Sequence, residues 1–223
     1  MEKFGNITLY NDDCMNVMKT FKDKQFDLAI VDPPYGIGAD KKNNVNKKQT
    51  KKSASKSKYY GSQEWDLDIP SIEYFNELKR VSKKQIIWGV NYYPYANLFV
   101  GGRLFWDKGV TMPTYSKGEL AYLSWLNSID VVKIDWHGMI QYDMKNKEIR
   151  IHPTQKPVKL YEWLLQNYAK EGDTILDTHF GSLSIGIACH DLGFELTAIE
   201  LDKDYYKAGK KRLIEHQRQL TIF

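Results

Sequence analysis

Asp173-Thr174-Ile175-Leu176-Asp177-Thr178-His179-Phe180-Gly181-Ser182-Leu183-Ser184-Ile185-Gly186 reads as a strand, a glycine-containing turn and the start of a helix. A turn of that shape, opening a helix, is where nucleotide-type cofactors are held. The full G-x-G-x-x-G spacing of a dinucleotide fingerprint is missing. The next strand ends in Ile199-Glu200, where an acid can accept hydrogen bonds from both hydroxyls of a ribose.

The alternation continues in both directions. Upstream, Lys156 to Ala169 reads as a helix with Pro157 at its start, and downstream Lys203 to Gln217 as a final helix. Nearer the start, Ile7-Thr8-Leu9-Tyr10 is strand-like, Cys14 to Phe21 forms one or two helical turns capped by Asp12 or Asp13, and Phe26 to Val31 is a buried strand. Ile72, Phe75, Leu78 and Val81 mark one face of a helix over Ile69 to Ser82, with Pro70 in its first turn. Strands follow at Gln85 to Val90, Gly102 to Asp107, Glu119 to Leu126 and Asp130 to Trp136. This order predicts one α/β domain over residues 1–223: a Rossmann-like, mostly parallel sheet with helices on both faces.

Directly after the buried strand come Asp32-Pro33-Pro34-Tyr35. An acid, two prolines and an aromatic ring suit a core poorly and a pocket for a planar amine well. The Asp32 carboxylate and the Pro33 carbonyl can each accept one hydrogen bond from an exocyclic NH2, and Tyr35 offers a ring for a base to stack on. Such an amine is unreactive because its lone pair is delocalised into the ring; two acceptors favour the pyramidal form in which the lone pair is free. Asp32 and Asp177 both sit at expected strand ends, so if their strands are neighbours the two sites meet at the carboxyl edge of the sheet.

Charge is unevenly placed. The net charge is +4, yet Lys41 to Tyr60 holds eight lysines and no acid, leaving −4 on the rest. That composition cannot bury enough apolar surface to order itself, so the insertion over 39–64 is expected to be flexible when free. It begins just after the proposed base pocket, where a polyanion would lie, which makes Lys47, Lys48, Lys51 and Lys52 candidate DNA contacts. Cys14 and Cys189 have no paired spacing and no Cys/His cluster, which argues against disulfides and a zinc site. The N-terminus lacks a signal-peptide pattern and no run is long enough for a bilayer, so a cytoplasmic protein is expected.

Taken together the sequence resembles the S-adenosylmethionine-dependent DNA amino-methyltransferases that modify adenine N6 or cytosine N4. The residues that carry the likeness are Asp13-Cys14, Asp32 to Tyr35, Gly101 to Lys108, Glu119 to Trp125, His152-Pro153-Thr154-Gln155-Lys156-Pro157, the Asp177 loop and Glu200. Their order, with the Asp-Pro-Pro-Tyr first, is that of the permuted β group. The resemblance implies a seven-stranded sheet in which Asp32, Pro33, Pro34 and Tyr35 hold a base flipped out of duplex DNA. It further implies Asp13 and Cys14 against the cofactor adenine, Glu200 on the ribose, Asp177, Gly181 and Ser182 along the methionine part, and Thr154, Gln155 and Lys156 closing the other side. No metal is implied. An adenine-N6 enzyme is expected, the alternatives being an N4-cytosine enzyme or a catalytically silent DNA-binding module. Target recognition falls to Lys41 to Trp65 and to 107–150, both short, which suggests help from a second subunit; a homodimer and a cognate restriction endonuclease are the candidate protein partners.

The cofactor loop departs from the family's Asp-Pro-Phe-x-Gly-Ser-Gly-Thr. Thr178 and His179 follow Asp177, and Leu183 and Ser184 replace the last two residues. A glycine at the Leu183 position gives positive φ or close approach to a ligand, so weaker cofactor binding or a different loop path is expected. His179 is read as a spacer or cap, because methyl transfer from a sulfonium needs in-line geometry more than proton abstraction.

Overall fold

The computed structural model describes residues 1–38, 66, 68–112, 116–137 and 139–220. The lysine-rich insertion, with Lys47, Lys48, Lys51 and Lys52, lies outside the described residues. In chain order the elements are β1 (Glu2–Phe4), β2 (Ile7–Asn11), α1 (Cys14–Met18), β3 (Phe26–Val31), α2 (Ile72–Val81), β4 (Ser82–Trp88), a 3-10 turn (Ala96–Leu98), β5 (Gly102–Asp107), β6 (Gly118–Leu123), β7 (Ile129–Lys133), β8 (Trp136–His137), β9 (Ile140–Gln141), α3 (Val158–Tyr168), β10 (Thr174–Asp177), α4 (Ser184–Leu192), β11 (Glu195–Glu200) and α5 (Lys203–Leu220).

Nine strands form one sheet in the order β1-β2-β11-β10-β3-β4-β6-β5-β7. From β2 to β4 the five neighbours run parallel. β6 is antiparallel to both β4 and β5, and β7 pairs parallel with β5. The α/β expectation holds; the strand count corrects from seven to nine. β1 is an edge strand added through a two-residue turn that needs Gly5 at φ +62°. β7 is the second edge, and it stops at Lys133, so the strand expected over Asp130 to Trp136 divides into β7 and the small β8–β9 hairpin. Gly118–Leu123 and Ile129–Lys133 of the candidate recognition region therefore belong to the main sheet.

Strand alternation explains the two-faced core. Leu28 and Ile30 of β3 pack in one buried cluster with α3, α4 and α5, whereas Ala29 and Val31 pack in the other with α1 and α2. Ile86 and Trp88 divide from Ile87 in the same way. Sequences buried on both faces read as continuous apolar runs, which is why these strands were legible.

β10 lies directly beside β3, with Ile175 opposite Leu28 and Leu176 opposite Ala29. On one side of this pair the chain runs to β11 and on the other to β4, so the crevice between their carboxyl ends is a topological switch point. Two helix starts bear on it. Pro157 caps α3 in extended backbone, and the residue before a proline is kept out of the helical region, so Lys156 lies outside the helix rather than beginning it. Leu183 caps α4 in the left-handed region at φ +56°.

Leu183 is fully buried, and its side chain lies against Gly186 and Gly209. A Cβ on Gly186 would come within 2.7 Å of the Leu183 Cγ, and one on Gly209 within 3.1 Å of its Cβ. Left-handed backbone costs a leucine about 1–2 kcal/mol, and full burial of its side chain returns about 1.5–3 kcal/mol. The loop thus keeps positive φ without glycine, and the Leu183 side chain is packed in the core.

Candidate active site

The carboxyl edge of the sheet opens into a cavity of about 850 Å³. Its lining brings together Asp13 and Cys14 after β2, Asp32 and Pro34 after β3, His152, Thr154, Gln155 and Lys156 before α3, Thr178 to Ser182 after β10, and Glu200 at the end of β11. Every residue expected near the cofactor is in this set except Asp177, which lies buried beneath it.

In one half, acids are held by the backbone. Glu200 accepts from the Gly181 N–H at 2.8 Å and from the Asp202 N–H at 2.9 Å, one on each carboxylate oxygen. Gly181 can give that bond because its φ is +49°. A carboxylate has lone pairs to spare beyond these two, so hydroxyls can still bind. Burial pushes Glu200 up to about 7, against those two backbone hydrogen bonds. Asp177 accepts from the His179 N–H at 3.0 Å, and burial pushes it up to about 8. Asp13 caps α1 through the Met15 N–H at 2.7 Å. Burial raises the Cys14 thiol to about 12, so it stays a neutral wall; its Sγ lies 3.9 Å from His179 Nε2. His179 is held at about 4, again by burial, and its Nδ1 lies 2.9 Å from the Thr178 hydroxyl.

The cofactor turn is braced from behind. Arg212 on α5 donates to the Ser182 carbonyl at 3.0 Å and the Ser184 hydroxyl at 2.9 Å, and pairs with Glu148 at 2.7 Å. The other Glu148 oxygen accepts from the Val158 N–H at 2.9 Å, so one ion pair ties α5, the turn and the start of α3. Gln155 is occupied on the far side, where its Oε1 accepts from the Ile151 N–H at 2.9 Å. Thr154 keeps its hydroxyl 3.1 Å from His152 Nδ1, and burial holds His152 at about 3.

The other half is held by side chains. Asp32 accepts from the Tyr35 hydroxyl on Oδ1 at 2.5 Å and meets the Lys156 ammonium on Oδ2, also at 2.5 Å. Lys156 also lies 2.9 Å from Glu119 Oε2 and 3.1 Å from the Tyr35 hydroxyl, and Glu119 pairs through its other oxygen with Lys108. Burial works against ionising Glu119, yet Lys156 and Lys108 outweigh it and hold the carboxyl at about 2. The same two carboxylates raise Lys156 in spite of its burial.

Lys156, expected over the cofactor, lines the cavity, and its ammonium is on Asp32 and Glu119. Tyr35, expected to offer its ring to a base, is stacked on Tyr92 with centroids 5.0 Å apart and planes 16° apart, and is absent from the lining. Gly89 explains how it fits: a Cβ there would lie 2.1 Å from the ring. Pro33 is buried, and its carbonyl already accepts from the Tyr93 hydroxyl at 3.0 Å, leaving one lone pair. Asp66 secures the segment by accepting from the Tyr35 and Gly36 N–H groups at 2.7 and 3.0 Å. Glu119, Lys108, Tyr93 and Asp66 were assigned no role from sequence. Glu119 and Lys108 belong to stretches noted for their likeness, but only the β4–β6–β5 pairing brings them to Asp32. Among the described residues no three ligating side chains cluster for a metal, and no helix is long and apolar enough to cross a membrane.

The sequence pattern of the DNA methylase family of N6/N4 methyltransferases matches residues 54–211. The chain belongs to this family. As an N6/N4 methyltransferase it uses S-adenosylmethionine. A type II methyltransferase, M2.MboI of Moraxella bovis, is 25% identical over 251 residues, covering 94% of this chain and 88% of that one. Among solved structures, the M1.HpyAVI complex with S-adenosylmethionine superposes with a TM-score of 0.58 at 20% identity, over 93% of this chain and all of that one. The cytosine-N4-specific PvuII DNA methyltransferase gives 0.59 at 14% identity, over 97% and 96%. At these identities the two structures speak to the fold, which is the methyltransferase α/β sheet. The matched span begins after Asp32 to Tyr35, so the base half of this N6/N4 methyltransferase stands on its own geometry.

Proposed function

We propose that this methyltransferase acts on the N6 amine of adenine flipped out of duplex DNA. The observation that carries the reading is the placement of Asp32, with Pro34, just after the end of β3, beside β10 and on the wall of the same cavity as Glu200. The cavity suits the cofactor: acids for a ribose and for cationic groups, a neutral thiol wall, and a volume in the range of small-molecule sites. Glu200 holds the ribose, Asp13 and Cys14 border the adenine, and Gly181 and Ser182 line the methionine part, with Asp177 buried beneath them. Thr154 and Gln155 close the remaining wall. When bound, S-adenosylmethionine supplies an electrophilic methyl group.

The residues of this chain do the rest. Asp32 and the Pro33 carbonyl accept from the two amine hydrogens and favour the pyramidal nitrogen, and the Asp32 carboxyl, whose pKa burial raises against the pull of Lys156, faces the positive charge that grows there. The amine nitrogen is itself the nucleophile, so no covalent intermediate on the protein is needed, in keeping with the neutral Cys14, and the surplus proton on the methylated nitrogen passes afterwards to Asp32 and on to water. Adenine is preferred to cytosine on the Asp-Pro-Pro-Tyr tetrapeptide. Lys47, Lys48, Lys51 and Lys52 contact phosphates. The test is to incubate the protein with duplex DNA and methyl-labelled cofactor, then digest to nucleosides and separate them by mass spectrometry. Labelled N6-methyldeoxyadenosine supports the reading; N4-methyldeoxycytidine replaces the base, and cofactor binding with no labelled nucleoside favours a silent DNA-binding module.

A further inference from the structure

Both oxygens of Asp32 are occupied in this structure, one by the Tyr35 hydroxyl and one by the Lys156 ammonium. Each oxygen keeps a further lone pair, so an incoming amine can share Asp32, but while the Lys156 ammonium stays on Oδ2 it stands beside a nitrogen that must become positive. Lys156 is 3% exposed, and a buried ammonium that loses its partner without gaining another is strongly unfavourable. Glu119 resolves this. Its Oε2 is already 2.9 Å from the Lys156 ammonium, so Lys156 can shift its weight from one carboxylate to the other without ever standing alone.

We propose that Lys156 is a positioning residue that holds Asp32 in a closed arrangement and is handed over to Glu119 when the target amine enters. The proposal rests on the amine-methylating role given to Asp32 above. Charges balance in the closed form: Asp32 and Glu119 face Lys156 and Lys108. Handover also withdraws a cation from the atom on which positive charge develops, whereas a Lys156 that stayed on Asp32 would oppose transfer. Glu119 is thus the receiving group, and Lys108 on its other oxygen keeps that carboxylate ionised while it waits. Room exists on that side, since Glu119 and Lys108 line a second cavity of about 250 Å³ with Trp106 and Arg150.

The test is a double-mutant cycle on methyl transfer to duplex DNA, with cofactor affinity measured by calorimetry on every variant. Glu119→Gln leaves Lys156 fastened to Asp32 and should lower kcat by about tenfold or more while cofactor affinity changes less than about threefold. Lys156→Met combined with Glu119→Gln removes the obstructing cation and should recover part of that loss. Additive losses in the double variant, or an unchanged kcat in Glu119→Gln, overturn the proposal. A second readout needs neither DNA nor turnover, nor a folded double variant: carbon-13 titration of the Asp32 carboxyl, assigned by its disappearance in Asp32→Asn. The other groups facing Asp32 are Tyr35, Asp177 from β10, and Tyr74, Tyr93 and Tyr161. The tyrosines stay neutral below pH 10, and Asp177 titrates near 8. The Asp32 midpoint should fall in Glu119→Gln and rise in Lys156→Met; shifts of the same sign, or none, overturn the proposal. A wild-type protein that methylates no DNA refutes the proposed reaction instead, and the titration still decides the ion cluster.

Discussion

The two halves of the cavity solve one problem, keeping a buried carboxylate in place, by opposite means. Glu200 and Asp177 are held by backbone N–H groups of the turns that follow β10 and β11, which cannot leave without unfolding the turn. Asp32 is held by the tips of two side chains, Tyr35 and Lys156. Backbone contacts give a site that stands ready for one unchanging ligand. Side-chain contacts, under the handover proposed above, give a site that stays closed until a base arriving from outside displaces them.

The largest effect should come from the exchangeable half. Asp32→Ala removes an interaction that strengthens in the transition state and should lower turnover roughly 10²–10³-fold, read by label incorporated into duplex DNA. Activity surviving within about tenfold would contradict the role of Asp32.

In the fixed half the corresponding break is Arg212→Met, which leaves Glu148 buried without its partner and releases the Ser182 carbonyl. Breaking such a pair costs about 3–5 kcal/mol, and denaturant unfolding should show a loss of this size. Cofactor affinity should fall with it, since the turn that places Gly181 is no longer braced.

The acids of the fixed half also predict a pH dependence. In the free protein Glu200 titrates near 7 and Asp177 near 8, both above the ordinary carboxylate range. Each therefore binds its proton more tightly folded than unfolded, so their contribution to stability declines as pH rises towards 8. His152 and His179, held at about 3 and 4, act in the opposite sense below 6.5, which leaves pH 6.5 to 8 as the clean window. A cationic cofactor selects the ionised acids, so its affinity should rise across that window with release of protons, measurable by calorimetry in buffers of different ionisation enthalpy. Affinity independent of pH would contradict the placement of these acids against positive charge.

A smaller effect is expected at the loop's one departure in backbone chemistry. Leu183→Gly relieves left-handed strain but empties a packed site between Gly186 and Gly209, so stability should fall by about 1–3 kcal/mol. Cofactor affinity should hold within about twofold, because the side chain points into the core. Smallest per residue is the lysine insertion: neutralising Lys47, Lys48, Lys51 and Lys52 together should flatten the slope of log affinity against log salt on any duplex by roughly 0.9 per lost phosphate contact. An unchanged slope would make the insertion a solvated loop.

Much of this comparison was legible in the sequence, and the reason differs between halves. Asp177, Gly181 and Glu200 sit at strand ends that their own apolar runs announce, and their partners lie within a few residues or on the next strand. Asp32 was legible for the same reason. Its partners were not. Glu119 arrives on an antiparallel strand 87 residues away, and the register that sets it beside Asp32 and Lys156 is tertiary. The neighbours of the Tyr35 ring were not legible either: they are Tyr92 and a glycine, Gly89, that leaves space without signalling what fills it. β1 was missed because Glu2-Lys3-Phe4 is too short to show a period.

The most direct test is whether the two halves are separable, by calorimetric titration of S-adenosylmethionine into Asp32→Asn, Lys156→Met and Glu119→Gln alongside the wild type. All three variants should bind the cofactor within about threefold of the wild-type affinity while each loses turnover. Loss of cofactor binding in step with loss of turnover, in any of the three, would contradict the division of the site into a fixed half and an exchangeable one.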